Sequence, residues 1–405
     1  MNGRSIIIGA GQAGAQAAQS LRQAGFQGSI MLIGEEPAAP YQRPPLSKAY
    51  LQGALGADRL ALKPDAFYAQ NGIDLMLGVR VVRIDRKAAR VETDDGASLP
   101  YDRLLIATGA PPRRLACPGA ELSGVHYLRT IADCEGLKAS LGGARRIIIV
   151  GAGYIGLEVA ASARKAGRDV AVLEAQGRVL QRVAGPQISA FFDALHRTHG
   201  VDLFLGAMLA GFEGRDRVER AVLASGERLD CDAVLIGVGA APAVALAVDA
   251  GLAIDNGVST DERACTSDPA IFAAGDCASH PSRLYGRRMR LESVPNAIEQ
   301  AKVAGANMAG GSAVYDAVPW FWSDQYDIKL QTAGVAEGAD AAIVRGDPAS
   351  GRFSVWSLKG GRLLAVDAVN DPASFLAAKK VIAAKAPLDA KSLADPATDL
   401  KSLAS

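Results

Sequence analysis

Two stretches of the chain share one pattern of apolar and small residues. Arg4-Ser5-Ile6-Ile7-Ile8-Gly9-Ala10-Gly11-Gln12-Ala13-Gly14 returns as Arg146-Ile147-Ile148-Ile149-Val150-Gly151-Ala152-Gly153-Tyr154-Ile155-Gly156. Each begins with an unbroken β-branched run, the pattern of a parallel strand buried on both faces, and passes into a glycine-rich turn. Small and apolar positions then recur at helical spacing: Ala15, Ala18, Leu21 and Ala24 in one copy, Val159, Ala160 and Ala163 in the other. Gly25 and Gly167 stand where a helix ends on a left-handed residue. Apolar strands at 30–33 and 170–173 follow, which makes βαβ twice.

The segments between and after the copies continue the α/β pattern. Residues 79–91 and the run Leu104-Leu105-Ile106-Ala107-Thr108-Gly109 read as strands, and Pro111-Pro112 mark an exit from the first domain. Ala233-Val234-Leu235-Ile236-Gly237-Val238-Gly239 ends a comparable strand, and residues 254–311 return to short strands with a helix at 297–308. From Pro319 onward, strands at 352–358 and 363–370, a helix at 374–385 and a polar tail predict a separate α+β domain. The expected architecture is α/β, with two Rossmann-type dinucleotide-binding domains and this C-terminal domain. Residues 1–112 and 240–318 would form a discontinuous first domain, 113–239 the second and 319–405 the third.

Charge and composition narrow the function. Lys plus Arg number 44 against 43 Asp plus Glu, a net charge of +1, where a nucleic-acid binder would show a strongly basic domain. The five cysteines include no CxxC pair and no metal-ligand spacing, so no metal site is expected. No charged, apolar and cleavage-site succession opens the chain, and apolar runs are broken well before membrane-spanning length. These features predict a cytoplasmic protein that binds neither nucleic acid nor membrane.

The glycine turns carry the chemistry. A pyrophosphate needs a backbone that approaches closely and offers N–H groups from a helix start. Gly9 would allow the tight turn, Gly11 would leave the phosphate side clear, and Gly14 would let helix pack on strand; Gly151, Gly153 and Gly156 repeat those roles. Each copy is followed by an acid placed to accept from ribose hydroxyls: Glu35, with Glu36 as its rival, and Glu174. A carboxylate at 174 repels a 2′-phosphate and so favours NADH over NADPH, although Arg178 lies nearby in sequence. A further segment, Ile271-Phe272-Ala273-Ala274-Gly275-Asp276, delivers an Asp after a short strand, as in the second flavin-binding signature of flavoproteins that hold two dinucleotides. A helix-capping Asp is the plainer alternative.

With these motifs, Tyr41-Gln42-Arg43-Pro44-Pro45-Leu46-Ser47-Lys48 and Pro319-Trp320-Phe321-Trp322-Ser323-Asp324-Gln325 make the whole chain resemble the single-chain, FAD-dependent NADH:ferredoxin reductases of bacterial oxygenase systems. These belong to the pyridine nucleotide-disulfide oxidoreductase superfamily, with a glutathione-reductase-like fold. The resemblance implies non-covalent FAD, its pyrophosphate held by Gly9, Gly11, Ala13 and Gly14 with Arg43, and its ribose by Glu35. It further implies Lys48 beside the flavin ring, Val81 (or Val82 in the other register) at the adenine, and Arg129 and Asp276 completing the flavin site. Glu292 and Val294 would start the helix beneath the flavin, where several relatives have Trp in place of Val294. On the nicotinamide side it implies Tyr154, Ile155, Glu158, Glu174 and Gly239, with Lys48 and Glu158 as a buried ion pair close to the hydride path. Trp320 and Trp322 suit either a shield over the nicotinamide pocket or packing.

Disulfide-reducing members of that superfamily carry a cysteine pair shortly after the first βαβ unit, whereas here the first cysteine is Cys117. Electrons leaving the flavin would therefore go to an external acceptor. The resemblance implies a 2Fe–2S ferredoxin, docked transiently by charge, serving a haem-thiolate monooxygenase or a Rieske dioxygenase. Rubredoxin, a quinone or monodehydroascorbate are the alternatives, and the reductase itself would be a monomer or weak dimer. Arg283, Arg287, Arg288 and Arg290, with Lys379-Lys380, are the candidate docking charges, or simply solvated ones.

Overall fold

The computed structural model describes residues 3–64, 66–400 and 403. They divide into two compact units, bounded as Met1–Gln42, Asp58–Pro111 and Ala241–Trp320 for the first, and Arg43–Ala57, Pro112–Ala240 and Phe321–Ser405 for the second.

The first unit is built on a parallel sheet in the order Ile271–Ala273, Arg103–Ile106, Arg4–Ile8, Ser29–Gly34, Ile73–Leu77. The β-branched run takes the centre, with Ile6 opposite both Met31 and Leu104. Its isoleucines are covered on both faces, which is why the run shows no alternation. On one face lies the helix Gln12–Gln23, packed against the helix Val294–Met308. Small residues set that approach: a Cβ on Gly305 would stand 2.8 Å from the Ala17 carbonyl. Residues 79–91 form a hairpin, Val81–Asp85 with Arg90–Thr93, which Ser98–Pro100 extends.

The second unit repeats the scheme, with a parallel sheet in the order Val201–Leu205, Asp169–Glu174, Arg146–Val150, Ala233–Ile236, Val125–His126 and the helix Tyr154–Lys165. The segment Arg43–Ala57, which the sequence places within the span of the first domain, packs with this second unit. Here too belongs a five-stranded sheet in the order Trp320–Gln325, Ile328–Gly334, Arg362–Val369, Arg352–Lys359, Ala341–Asp347, antiparallel between its neighbouring strands from Ile328–Gly334 onward. The helix Pro372–Ala384 packs on it, and Trp356 is fully buried.

Candidate functional site

The two glycine turns have the same geometry, and each glycine has a different reason to be glycine. Gly9 and Gly151 have φ of +111° and +104°, and a Cβ there would stand 2.2 Å from the Ala107 carbonyl and 2.5 Å from the Gly237 carbonyl. Gly14 and Gly156 sit where a Cβ would meet the carbonyls of Gly9 and Gly151 at 1.9 and 2.0 Å, so they are the helix-on-strand contacts. Gly11 and Gly153 have nothing within 4 Å of a Cβ and stand at helix starts that carry neither a side-chain cap nor an acid in the first turn. Uncapped N–H groups beside cleared space are what a pyrophosphate requires. Ala13 is buried against Gly275, whose Cβ would lie 3.0 Å away. Both cradles fit a dinucleotide.

The acids differ between the copies. Gly9 N donates to the Ile33 carbonyl as Gly151 N does to that of Leu173, so position 34 matches position 174. Gly34 could not hold the acid, because a Cβ there would stand 2.5 Å from the Ala10 Cβ. Glu35, one residue further on, is exposed, while Glu36 accepts from the Tyr41 hydroxyl at 2.5 Å. Glu174 accepts from Ala152 N and from Gln176 N, each at 2.8 Å, one on each oxygen. A carboxylate oxygen has a second lone pair, so both remain able to accept from a ribose. Arg178 is committed elsewhere, donating to the carbonyls of Ala184 and Gln181 and to the Ser189 hydroxyl.

Elsewhere in the first unit, Val81 is buried beside a strand irregularity and Val82 points outward. Asp276 caps no helix: the strand Ala278–Ser282 and a hairpin follow it, and the next helix starts at Val294 behind Ser293, whose hydroxyl accepts from Asn296 N. That helix nevertheless fixes the Asp276 turn, because Gln300 accepts from Gly275 N at 2.8 Å and pairs with His280 at 2.8 Å. Arg290 completes the arrangement, donating to the Asp276 carbonyl at 3.0 Å and pairing with Glu292 at 2.7 Å. The arginine cluster is thus no uniform basic face. Arg283 pairs with Glu262, Arg288 with Asp255 and Arg290 with Glu292. Sequence proximity shows like charges but not the acids that folding brings to them.

The second unit brings Lys48 and Glu158 together at 2.6 Å, with side chains 17% and 2% exposed. Such a pair is costly unless every polar atom is satisfied. Here the Glu158 carboxylate also accepts from the hydroxyls of Ser47 at 2.5 Å and Ser323 at 2.7 Å. The segment carrying Lys48 is anchored independently: Ser162 donates to the Ser47 carbonyl, Gln52 to the Ser162 hydroxyl and the Cys134 thiol to the Leu46 carbonyl. Arg43 donates to the Arg129 carbonyl at 2.6 Å, and Arg129 N donates to Asp133, whose carboxylate closes a capping box with Thr130. Tyr154 lies against the Phe321 ring, and burial next to Asp367 pushes its hydroxyl well above the ordinary tyrosine range. Asp367 accepts from the Thr332 hydroxyl at 2.6 Å, and burial raises its carboxyl to about 6. Ile155 is exposed beside the turn; Gly239, φ +101°, is overlain by Arg182. Trp320 and Trp322 are both half-buried.

Reading the sequence misses Ser47, Ser323, Gln300, Arg182 and Asp367 as contributors. Of these, Asp367 carries a local signal of its own, as the one charge in the otherwise apolar run after Arg362 in the strand Arg362–Val369. Among the described residues no group of metal ligands occurs, the five cysteines are unpaired, and no helix is long and apolar enough to cross a membrane.

Comparison with known proteins agrees with this geometry. The family model for pyridine nucleotide-disulphide oxidoreductases matches residues 3–301, and a reductase C-terminal model matches residues 320–404. The chain is 47% identical to a probable ferredoxin reductase of Castellaniella defragrans over 100% of its length and 99% of the relative's. It is 46% identical to rhodocoxin reductase of Rhodococcus erythropolis, covering 98% and 93%. In the crystal structure of the covalent putidaredoxin reductase–putidaredoxin complex, the reductase superposes with a TM-score of 0.96 at 43% identity, over 99% of this chain and 98% of that one.

Proposed function

Because the chain belongs to the pyridine nucleotide-disulphide oxidoreductase family, whose members use FAD and NAD(P)H, we propose that it is an NADH-dependent ferredoxin reductase. When bound, FAD supplies the ability to take two electrons as hydride and to release them singly, here to a 2Fe–2S ferredoxin that feeds a monooxygenase or dioxygenase. One observation carries the reading: two complete dinucleotide cradles share a chain with a fully satisfied Lys48–Glu158 pair, in a sequence whose first cysteine is Cys117. Without an internal thiol relay, an external one-electron carrier is the natural outlet, and the ferredoxin-reductase relatives support it.

In this reading the first cradle holds FAD non-covalently, through Gly9, Gly11, Ala13, Gly14 and Glu35 with Val81, Asp276, Glu292 and Val294. Arg43, Lys48 and Arg129 complete the flavin set. The second cradle, with Gly151, Gly153, Tyr154, Ile155, Gly156, Glu158, Glu174 and Gly239, takes the nicotinamide dinucleotide. NADH is preferred because Glu174 faces the ribose and Arg178 is unavailable to a 2′-phosphate. Residues 1–112 with 240–318, 113–239 and 319–405 are the corresponding functional domains. The cytoplasm, with its NADH, is the proposed location. Anaerobic stopped-flow mixing with NADH, then with a 2Fe–2S ferredoxin, a rubredoxin or a quinone, tests the proposal. Fast reoxidation by ferredoxin is expected; fast reoxidation by only one of the others would replace it.

A further inference from the structure

Behind Glu158 runs a chain of buried polar groups that the reductase reading does not use. The Ser323 hydroxyl stands 2.7 Å from Glu158 Oε1, Gln325 Nε2 is 3.1 Å from the Ser323 hydroxyl, and Gln325 Oε1 is 2.8 Å from His196 Nε2. The Tyr326 hydroxyl lies 3.3 Å from His196 Nδ1, and the exposed His199 stacks on the Tyr326 ring at 3.6 Å. Ser323, Gln325 and His196 are each at most 1% exposed. Tyr326 adopts φ +57°, a left-handed conformation that bulky residues rarely take and that persists only where surrounding contacts enforce it.

The charge at one end dictates every proton in the chain. A carboxylate only accepts, so Ser323 donates to Glu158 and its lone pairs receive the Gln325 amide. The carbonyl end of that amide then faces His196 Nε2, which must carry the proton. Nδ1 is left as acceptor for Tyr326. Burial keeps His196 neutral, consistent with this single tautomer. All links donate toward Glu158 and polarise one another. Of the three groups on the carboxylate, Lys48 and Ser47 both hold Oε2, whereas Ser323 holds Oε1.

We propose that Gln325 and His196 are positioning residues, which fix the direction of the Ser323 hydroxyl and thereby lock the rotation of the Glu158 carboxylate that faces Lys48. A carboxylate held by Oε2 alone is free to turn about its last bond and take the lysine with it. The proposal rests on the reductase reading for its consequence in the hydride step, but the network itself can be tested apart from activity.

Ring ¹⁵N NMR of the flavin-loaded protein makes that test, since the chain has four histidines and His196 can be assigned by replacing the others in turn. The neutral Nε2–H tautomer is expected at His196. Glu158→Gln, which exchanges an acceptor-only end for one that also donates, should shift the His196 ring nitrogens across the two intervening side chains. An Nδ1–H tautomer, or resonances unmoved by Glu158→Gln, would overturn the proposal. In parallel, Ser323→Ala and Gln325→Leu should slow flavin reduction at saturating NADH by roughly ten- to a hundredfold, the range for hydrogen bonds to a charged group, with the NADH dissociation constant unchanged. Ser323→Thr, which keeps the hydroxyl, should restore the rate, whereas wild-type rates in the first two variants would also overturn positioning. If wild-type protein takes no hydride from NADH, the reductase reading fails while the NMR result still decides the network.

Discussion

Replacing Glu174 with alanine separates two jobs that the structure gives to one carboxylate. It accepts from Ala152 N and Gln176 N and, in the proposed complex, from the NADH ribose. Loss of hydrogen bonds to a charged group costs about 1.5–3 kcal/mol, so NADH binding should weaken roughly 10- to 150-fold. NADPH should lose less, because the same change removes a repulsion. Two unit charges about 4 Å apart at an effective dielectric of 20 repel by about 4 kcal/mol, reduced here because Glu174 is half-buried. The ratio of the two affinities should therefore narrow by about tenfold or more. The dependence of the flavin-reduction rate on NADH and NADPH concentration gives both dissociation constants. Equal losses for the two coenzymes would mean that Glu174 only braces the glycine turn. An unchanged pair of constants would mean that another residue reads the ribose.

Gly14→Ala would force a Cβ to within 1.9 Å of the Gly9 carbonyl, so the protein should be purified largely without flavin, as visible absorbance would show. Denaturing wild-type protein with acid or heat should release all of the flavin into the supernatant; flavin retained by the precipitate would contradict non-covalent binding. Arg290→Glu should loosen flavin binding and not merely ferredoxin docking, because Arg290 supports the Asp276 turn and pairs with Glu292; a variant with full flavin and salt-sensitive ferredoxin turnover alone would restore the docking role. Burial raises the Asp367 carboxyl from 3.8 to about 6, so the folded state binds the proton more tightly and loses stability as pH rises through that window. Asp367→Asn should gain on wild type by roughly 2–3 kcal/mol between pH 4 and pH 7 in urea unfolding, and a pH-independent difference would refute the assignment.

The cradles were legible because their chemistry is local. Gly9, Gly11 and Gly14 lie within six residues, and each meets a constraint imposed by its own strand and helix. The buried runs 6–8 and 147–150 announced themselves by lacking alternation, and Gly25 and Gly167 marked the helix ends with φ of +83° and +75°. The arginine cluster is visible in the sequence but its acidic partners are not, because Glu262 and Asp255 come from other segments. Residues 41–48 and 319–325 were conspicuous as motifs, but which of their atoms meet Glu158 depends on a packing 111 and 165 residues away in sequence. His196 gave no signal at all: on the helix Pro186–Thr198 it falls among buried Ile188 and Phe192, as a core residue would.

The C-terminal sheet offers a physical reason for that long-range dependence. Tyr154 and Glu158 are four residues apart and share one face of the helix Tyr154–Lys165. Phe321 meets the first and Ser323 the second, from alternate positions of a single strand, while Asp367 raises the energy of ionising the tyrosine. Covering the helix would need only apolar side chains, which packing favours over buried hydroxyls, amides and acids. The polar choices become intelligible once Glu158, buried, has to pair with Lys48. A buried carboxylate with one cation still needs its other oxygen satisfied, and the strand Trp320–Gln325 supplies that donor at a fixed register. A one-residue shift of any strand with a buried face turns its side chains to the opposite side and is costly on packing grounds alone. Here such a shift would also exchange Ser323 for Trp322 or Asp324 opposite the carboxylate, an indole or a second negative charge, so the register is constrained by the ion pair as well.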